Sequence, residues 1–348
     1  MILEFCIKRV YLLFFCLMSI SIGAQDIHFS QFYQSPLNLN PALTGVMRSN
    51  QRFIANYRNQ WASALGANAY NTYSASYDTK IPVGTYDYFG IGGSFWGDVA
   101  GASRFGQNSA RLSTSFSYYV NGGFNSAHYL TAGFDVGLVQ RRVRTGDLRW
   151  PAQHDGNGGF LNDLSLGETI DNNNITYPDV GLGLMWFSVF DEFNSFYVGI
   201  AAAHLNEANV SFLNRDASIY RRYTLHGGGE YQINNRFGLV PGFVVMVQGP
   251  HREYNAGTSF KFGVGEESNE FFQVGIWGRL GTQDEGGLHS DAVIFSTKFD
   301  SGNYGIGFSY DFTTSEFKQA GTANGSFELS FTYLINRTDA RKFWYPQI

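Results

Sequence analysis

Hydrophobic and polar residues alternate over many short stretches of this chain. In residues 129–138, apolar side chains at the even positions alternate with Tyr, Thr, Gly and Asp, and residues 304–312 and 327–335 repeat the pattern. Side chains of a β-strand point alternately to the two faces of a sheet, so each stretch predicts a strand with one apolar face. A soluble β-sandwich has the same alternation, so the number and length of the strands must distinguish the two classes.

The chain contains about 14 such stretches. Most have the roughly 9–11 residues that a tilted membrane-spanning strand needs. The predicted fold class is all-β: a transmembrane antiparallel outer-membrane β-barrel of about 14 strands with a non-strand N-terminal segment. The predicted strands are residues 51–58, 70–78, 87–97, 106–119, 128–143, 177–188, 195–203, 222–233, 236–248, 252–262, 270–281, 288–299, 303–312 and 324–335.

The composition favours a membrane environment. Aromatic residues are 17% of the 348 residues and charged residues only 15%, against about 25% charged residues in an average soluble protein. After residue 24, no apolar run approaches the roughly 18 residues that indicate a transmembrane helix. Aromatic clusters at strand ends, such as residues 86–89 and 271–272, resemble the girdles of membrane barrels. Ordinary core packing explains any one of these rings equally well.

The first 24 residues have the pattern of a secretory signal peptide. A basic pair at residues 8–9 precedes an apolar run over residues 10–22, and small residues up to Ala24 predict cleavage there. The run is shorter than the roughly 20 residues of a membrane anchor. Both cysteines, Cys6 and Cys16, lie in this leader. The mature chain is therefore predicted to contain no thiol and no disulfide.

The lengths of the predicted connections distinguish the two ends of the barrel. An even antiparallel barrel has both chain ends on the periplasmic side, so its connections alternate between outside and inside. The two longest connections, Arg144–Thr176 and His204–Arg221, then lie outside, whereas inside turns such as residues 189–194 and 234–235 are short. One outside connection departs from the pattern, because Gly249–His251 is tight.

Catalytic and metal-binding motifs are nearly absent from the sequence. There is no Walker-type glycine loop, no His-Glu-x-x-His motif and no Gly-x-Ser-x-Gly elbow. The stretch His154–Gly159 is similar to a calcium loop, but Leu166 stands where the bidentate acidic ligand belongs. Weak calcium binding within residues 144–176 stays open beside a simple solvated loop. We predict no enzyme activity, no catalytic residue, no metal site and no cofactor, and the net charge of −5 gives no case for nucleic-acid binding.

Residues 25–50 precede the first strand and do not alternate enough to span a membrane. They combine side-chain amides, aromatic rings and two prolines, Pro36 and Pro41, which oppose helix formation and strand pairing. Such a segment suits a barrel lumen or a partner surface, and glycines on the non-lipid face, such as Gly90 and Gly307, would leave room for it. The predicted organisation is a signal peptide (1–24), a plug or partner-contact segment (25–50), a β-barrel (51–335) and a C-terminal tail (336–348).

Several sequence blocks together carry a family resemblance. The first block is Gln25–Tyr33, followed by Ser-Pro-Leu-x-x-Asn-Pro-Ala-x-x-Gly over residues 35–45. Further blocks are Tyr57–Trp61, Ser76–Asp78, His204–Glu207, Gly307–Asp311 and Gly325–Leu329. In these blocks the chain resembles the PorP/SprF family of outer-membrane proteins from the type IX secretion and gliding machinery.

The resemblance implies a non-enzymatic outer-membrane barrel that binds a secreted adhesin through the adhesin's C-terminal sorting domain and delivers or anchors it at the cell surface. The implied partners are this surface protein, other type IX secretion components and outer-membrane lipid. The candidate partner-binding residues are Phe29, Gln31, Phe32, Tyr33, Pro36, Asn40, Pro41, Arg58, Trp61, Asp78, His204 and Asn206. Arg58 and Asp78 lie on the first two strands and should face the interior, where a structural ion pair or hydrogen bond that closes the barrel seam is their alternative role.

Three other functions stay open at this point. One branch of the family is associated with the secretion machine itself, so a core component beside the periplasmic ring is one alternative. A passive porin-like channel is the second, because a barrel of about 14 strands has enough circumference for a lumen. An outer-membrane hydrolase is the third, since a catalytic triad need not be local in sequence.

Overall fold

A computed structural model describes residues 26–101, 104–123, 126–144, 173–191, 193–213, 216–234, 236–264, 270–282, 287–314 and 325–335. In these residues, fourteen antiparallel strands form a closed barrel. The strands are β1 (Gln51–Gln60), β2 (Tyr70–Val83), β3 (Asp87–Ala100), β4 (Phe105–Gly122), β5 (Ala127–Arg142), β6 (Asn174–Val189), β7 (Ser195–Ala203), β8 (Arg222–Asn234), β9 (Phe237–Gln248), β10 (His251–Gly263), β11 (Glu270–Thr282), β12 (Leu288–Ser301), β13 (Tyr304–Thr313) and β14 (Ser326–Ile335).

Each strand pairs with its neighbours in sequence, and β1 pairs with β14 to close the barrel. Closure leaves no exposed strand edge, which satisfies the backbone hydrogen bonds inside a membrane. The predicted fold class and the number of strands are confirmed. The largest difference in bounds is at β2, which continues to Val83 because its last residues pair with the start of β3, with Pro82 opposite Tyr88.

The alternation of the sequence corresponds to the two faces of the barrel wall. Large apolar side chains point outward, as shown by Leu112 and Leu138, which are 72% and 60% exposed in the isolated chain. Small and polar side chains point inward and are buried, as Thr131 and Asp135 are on β5. An apolar outer face around a polar interior is the arrangement of a membrane barrel.

The two ends of the barrel differ in the length of their connections. At the end where β5 leads into β6 and β7 into β8, the connections are residues 143–173 and 204–221. At the other end, β2–β3 and β12–β13 are joined by residues 84–86 and 302–303, and the first residue of β1 and the last residue of β14 also lie there. Short turns, the start of the first strand and the end of the last strand mark the periplasmic side, so the long connections mark the outer end. The β9–β10 connection is tight, as predicted, although it lies at the outer end.

The helices in the described residues are single turns. Phe32–Gln34, Pro36–Leu39 and Pro41–Leu43 lie before β1, and Ala62–Leu65 and Gly66–Asn68 follow it. None of these described helices has the length and apolar character needed to cross a membrane. The two prolines each occupy the first position of a turn, where a missing N–H costs nothing.

Candidate functional site: the barrel lumen and its outer mouth

Residues 26–50, the lumen segment, run through the barrel from the outer end to the periplasmic end. The backbone N–H of Asp26 donates to Gln248 Oε1 on β9 at 3.0 Å, at the outer end. At the opposite end, the N–H of Asn50 donates to the carbonyl of Ile335, and its carbonyl accepts from Lys80. Most residues between these points are buried.

The lumen segment contacts every one of the fourteen strands. The contacts include hydrogen bonds, ion pairs and close backbone approaches, so the segment is fixed on all sides. One contacting residue for each strand, from β1 to β14, is Arg58, Asp78, Gly90, Ser113, Gly133, Leu184, Ile200, His226, Gln248, Glu253, Arg279, Ser296, Ser309 and Glu328.

A buried charge cluster holds the segment at Ser30. The Ser30 N–H donates to Glu328 at 2.8 Å and its hydroxyl donates to Asp311 at 2.6 Å. Arg58 hydrogen-bonds the Ser30 hydroxyl and pairs with Asp311 at 3.0 Å and Glu328 at 3.5 Å. Arg279 reaches both Ser30 and Asp311 from the other side. Burying charges is unfavourable unless they are paired and hydrogen-bonded, and here two guanidinium groups face two carboxylates.

A second charged pair fixes the periplasmic half of the segment. Arg52 and Asp78 form a bidentate pair, with Nε–Oδ1 and Nη2–Oδ2 distances of 3.1 and 2.9 Å. The two side chains make further hydrogen bonds to the lumen segment. Arg52 donates to the carbonyls of Leu43 and Val46, and Asp78 accepts from the N–H of Gly45. A fork-to-fork pair of this kind adds geometric specificity as well as energy.

Asn40 is the central polar contact of the segment. Its side-chain oxygen accepts from the N–H of Ala42 at 2.8 Å and so caps the turn Pro41–Leu43. Its amide nitrogen lies within hydrogen-bond distance of the carbonyls of Leu184 and Ile200 and of His226 Nε2, at 3.3, 3.2 and 2.9 Å. Asn40 is fully buried and cannot reach water, so these contacts supply the hydrogen-bond partners that its polar side chain needs.

Aromatic side chains fill the lumen beside the charged cluster. Phe32 packs edge-on against Tyr33 and Trp277, with ring centroids 5.5 and 5.6 Å away, and Tyr33 stacks on Trp277. Ser296 accepts from Trp277 Nε1 at 3.1 Å. The rings thus bury apolar area while the indole N–H keeps a partner.

Glycines on the inner wall leave space for the segment. A Cβ atom on Gly90 would overlap the Thr44 carbonyl, and one on Gly133 would overlap the backbone at Pro41 and Ala42. On Gly183 it would overlap the Asn40 side chain. At these positions the wall and the segment approach each other too closely for any other residue.

At the outer mouth, Asp26 binds two residues that bracket the connection 204–221. Its Oδ2 lies 2.5 Å from His204 Nε2 and 2.9 Å from Arg222 Nη1. The other ring nitrogen of His204 lies 2.9 Å from Asp179 Oδ1. Burial lowers the pKa of His204, but the carboxylates of Asp26 and Asp179 outweigh this effect and raise it above its ordinary value. Burial favours a higher pKa for Asp26, but His204 and Arg222 hold it well below its usual range.

The structure distributes the predicted site residues between the lumen and the outer end. Tyr33 is half-buried in the lumen, and six other residues of the lumen segment are buried there: Phe29, Gln31, Phe32, Pro36, Asn40 and Pro41. Trp61 follows β1 at the outer end and packs edge-on against Tyr70. Asn206 is exposed at the same end, where it donates to the carbonyl of Pro178. Partner binding by these residues stays a prediction.

Arg58 and Asp78 both face the interior, but each pairs with a different partner. The Arg58–Glu328 pair spans the β1–β14 seam, whereas Asp78 pairs with Arg52 across β1–β2. The signal peptide (1–24), the possible calcium ligands within residues 144–176 and the C-terminal tail 336–348 lie outside the described residues.

Several important residues were not singled out from the sequence. The same signal that selected Arg58 and Asp78, a charge on the polar face of a strand, also applies to Arg52, Arg279, Asp311 and Glu328. Ser30 and Asp26 carry no such signal, because most of their partners are far away in the chain. Glu328 is 298 positions from Ser30 and His204 is 178 positions from Asp26, although Arg58 is only 28 positions from Ser30.

These features define a class of protein: an outer-membrane β-barrel whose N-terminal segment lies in its own lumen. The family model of the type IX secretion system membrane protein PorP/SprF matches residues 21–333, and the chain belongs to this family. It is therefore an integral outer-membrane component of type IX secretion. No curated protein matches the chain in sequence.

Solved outer-membrane proteins are similar to this chain in structure. CdiB from Acinetobacter baumannii is 7% identical with a TM-score of 0.45, and the match covers 82% of this chain and 60% of CdiB. The toluene transporter TbuX of Ralstonia pickettii is 10% identical with a TM-score of 0.49, covering 91% and 97% of the two chains. A FadL homologue from Pseudomonas aeruginosa is 12% identical with a TM-score of 0.47, covering 84% and 92%.

Proposed function

We propose that this chain binds a secreted surface protein through that protein's C-terminal sorting domain, and that it delivers or anchors this adhesin at the cell exterior without catalysing a reaction. Family membership supports a role in type IX secretion. The observation that carries the proposal is the filled lumen: the lumen segment contacts all fourteen strands. A large partner would therefore bind on the outside of the barrel rather than pass through it.

In this proposal, the outer end forms the contact surface. Trp61, His204 and Asn206 lie at this end, where the connections 143–173 and 204–221 join their strands. The buried candidates of the lumen segment, with Arg58 and Asp78, would support that surface from inside by keeping the lumen filled. A cleaved leader at residues 1–24 would bring the chain to the membrane.

The two alternatives make different use of the barrel. A passive channel needs a continuous aqueous path, and the contacts of the lumen segment with all sides of the wall argue against one. A core component of the machine would use the periplasmic end, where the turns are short. The three functions are therefore separated by which part of the barrel binds and by whether the protein conducts ions.

Co-purification with two matched double variants tests the proposal. The tagged protein is purified from its native host in mild detergent, and its partners are identified and eluted with an isolated type IX C-terminal domain. Trp61→Ala with Asn206→Ala removes a ring and an amide from the outer end, and Phe193→Ala with Asn303→Ala removes the same groups from the periplasmic end. We expect the outer variant to lower the bound surface protein at least severalfold and the periplasmic variant to retain it.

Three results would contradict the proposal. Equal retention of the surface protein by both variants would remove the outer end from the contact. Binding of periplasmic ring components that is lost in the periplasmic variant would favour the core-machine alternative. A monomer without partners that conducts ions in planar bilayers would favour the channel.

A further inference from the structure

The connection 204–221 holds the start of the lumen segment from both of its ends. His204 is the first residue after β7 and Arg222 is the first residue of β8, and both bind the same carboxylate oxygen of Asp26. Arg222 also donates to the carbonyl of Asn38 at 3.2 Å, farther along the segment. The two hinge points of one outer loop are thus joined to one residue of the segment.

The geometry at His204 requires a cationic ring. Its two ring nitrogens face the carboxylates of Asp26 and Asp179, which accept hydrogen bonds, so both nitrogens must donate. Arg111 from β4 pairs with Asp179 and Asp135. The charged groups around His204 are therefore Asp26, Asp179, Asp135, Arg111 and Arg222. His204 is fully buried and has a backbone φ of 58°, in the left-handed region that is unfavourable for a residue with a side chain. The contacts with Asp26 and Asp179 stabilise this conformation.

We propose that the connection 204–221 is an outer-face latch, with Asp26 as its catch: displacement of the connection at the cell exterior releases the start of the lumen segment. Release of Asp26 in turn frees both hinges of the connection, because coupling between two sites is reciprocal. The latch transmits an event at the outer surface to the interior of the barrel. Any partner that moves the connection would cause this release, whether or not that partner is a secreted adhesin.

The latch also fixes the direction of the lumen segment. Its start, Asp26, lies at the outer end, and Asn50 lies at the periplasmic end where β1 begins. The residues next to Asp26, Ile27 and His28, line a small, partly open pocket together with Met246, His251 and Glu253. The start of the segment is therefore expected to be reachable from the cell exterior.

Hydrogen exchange on the full-length protein tests the coupling. Asp26→Asn weakens the segment side of the latch, Arg222→Gln weakens the loop side, and Glu207→Gln is the matched control, since it breaks only the exposed Arg221–Glu207 pair within the loop. Loss of charge-assisted hydrogen bonds is expected to raise amide exchange about tenfold or more. Both latch variants should raise amide exchange in residues 26–31 and also in residues 204–208 and 219–222. The control Glu207→Gln should leave amide exchange in residues 26–31 unchanged.

The latch is wrong if Asp26→Asn raises exchange in the segment alone and leaves the connection as in the wild type. It is also wrong if Glu207→Gln loosens residues 26–31 as much as the latch variants do. Unchanged exchange in strands β1 and β14, together with the heat-dependent gel migration of a folded barrel, shows that the variants still fold.

Cysteine labelling in intact cells tests the direction. Ile27→Cys, Ser218→Cys at the outer loop and Asn303→Cys at the periplasmic turn are each treated with a small membrane-impermeant thiol reagent. We expect Ile27→Cys to react in intact cells, as Ser218→Cys does, and Asn303→Cys to react only after the outer membrane is permeabilised. Failure of Ile27→Cys to react in intact cells, under conditions that label Ser218→Cys, would overturn the outward direction.

Discussion

At the scale of single residues, Arg58 illustrates why buried charges occur in this barrel. It is 2% exposed and is surrounded by Ser30, Asp311 and Glu328, with Arg279 opposite. Replacing a buried ion pair by apolar groups often leaves stability unchanged, but removing one partner leaves a charge without compensation. The cluster therefore determines where the lumen segment binds more than it adds to total stability.

The first prediction concerns this cluster. Arg58→Gln removes one of the two guanidinium charges that compensate the carboxylates of Asp311 and Glu328. It should lower the free energy of unfolding by about 3–5 kcal/mol. Arg221→Gln is the matched control, because its pair with Glu207 is about half exposed and should contribute less than about 1 kcal/mol. Urea unfolding in lipid vesicles measures both. Equal destabilisation by the two substitutions would contradict the role of the buried cluster.

The second prediction is a pH dependence at His204. Its pKa is raised above the ordinary value of 6.5, so its protonated form is favoured in the folded protein. Its contribution to stability is fully present below 6.5 and is lost as the pH rises through the raised pKa. After correction for intrinsic exchange, amides of residues 26–31 should therefore exchange faster at alkaline pH than near pH 6. His204→Gln should remove this pH dependence, and an identical pH profile in that variant would exclude His204 as its origin.

At the scale of elements, the fit between wall and segment depends on glycines at positions where strands approach other backbone. Gly90, Gly133 and Gly183 lie on β3, β5 and β6, and all three face the stretch from Asn40 to Thr44. Strands β5 and β6 form the main wall against the turn Pro41–Leu43. A groove of small residues thus receives one turn of the segment.

The third prediction tests this groove. Gly183→Ala places a Cβ atom into the Asn40 side chain and should destabilise the protein by about 1–3 kcal/mol through overpacking. Gly278→Ala on β11 is the control, since a Cβ atom at that position would meet no other atom within 4 Å. Amide exchange of residues 38–44 should rise in Gly183→Ala and stay unchanged in Gly278→Ala. Equal exchange in the two variants would show that the groove does not position the segment.

Alternation in sequence was sufficient to locate the strands because a barrel wall has only two faces and two environments. It placed all fourteen strands and also the inward direction of Arg58 and Asp78. It did not extend β2 to Val83, because Pro82 argues against a strand. The alternation nevertheless continues there, since Ile81 and Val83 point outward and Lys80 points inward, where it donates to the carbonyl of Met47. The partners of inward charges were not predictable, since they depend on register and closure.

At the scale of the whole molecule, a filled lumen separates a cargo partner from a channel. The lumen segment and the inner side chains share hydrogen bonds along the full height of the barrel, from Asp26 to Asn50. A barrel of this size without such a segment has enough circumference for an aqueous path.

The fourth prediction follows from this arrangement. The purified wild-type protein should be nearly silent in planar lipid bilayers, and a variant that lacks residues 26–45 should conduct ions, because the deletion removes the contacts that fill the lumen. Thr44→Cys with Ser113→Cys provides a control that keeps the segment in place, since the two hydroxyl oxygens lie 2.9 Å apart. The oxidised form of this variant should stay silent. Equal conductance of wild type and deletion variant would show that the segment does not close the barrel.

The sequence by itself determined the class of the wall, its strand number and the likeness to one family, because alternation and local motifs are properties of neighbouring residues. It also indicated that residues 25–50 pack into a lumen or against a partner. Only the tertiary structure decided the path of that segment, the partners of the buried charges around it and the contacts of Asp26 with His204 and Arg222. These depend on contacts between residues up to 299 positions apart, which exist only after β1 meets β14 and the barrel closes.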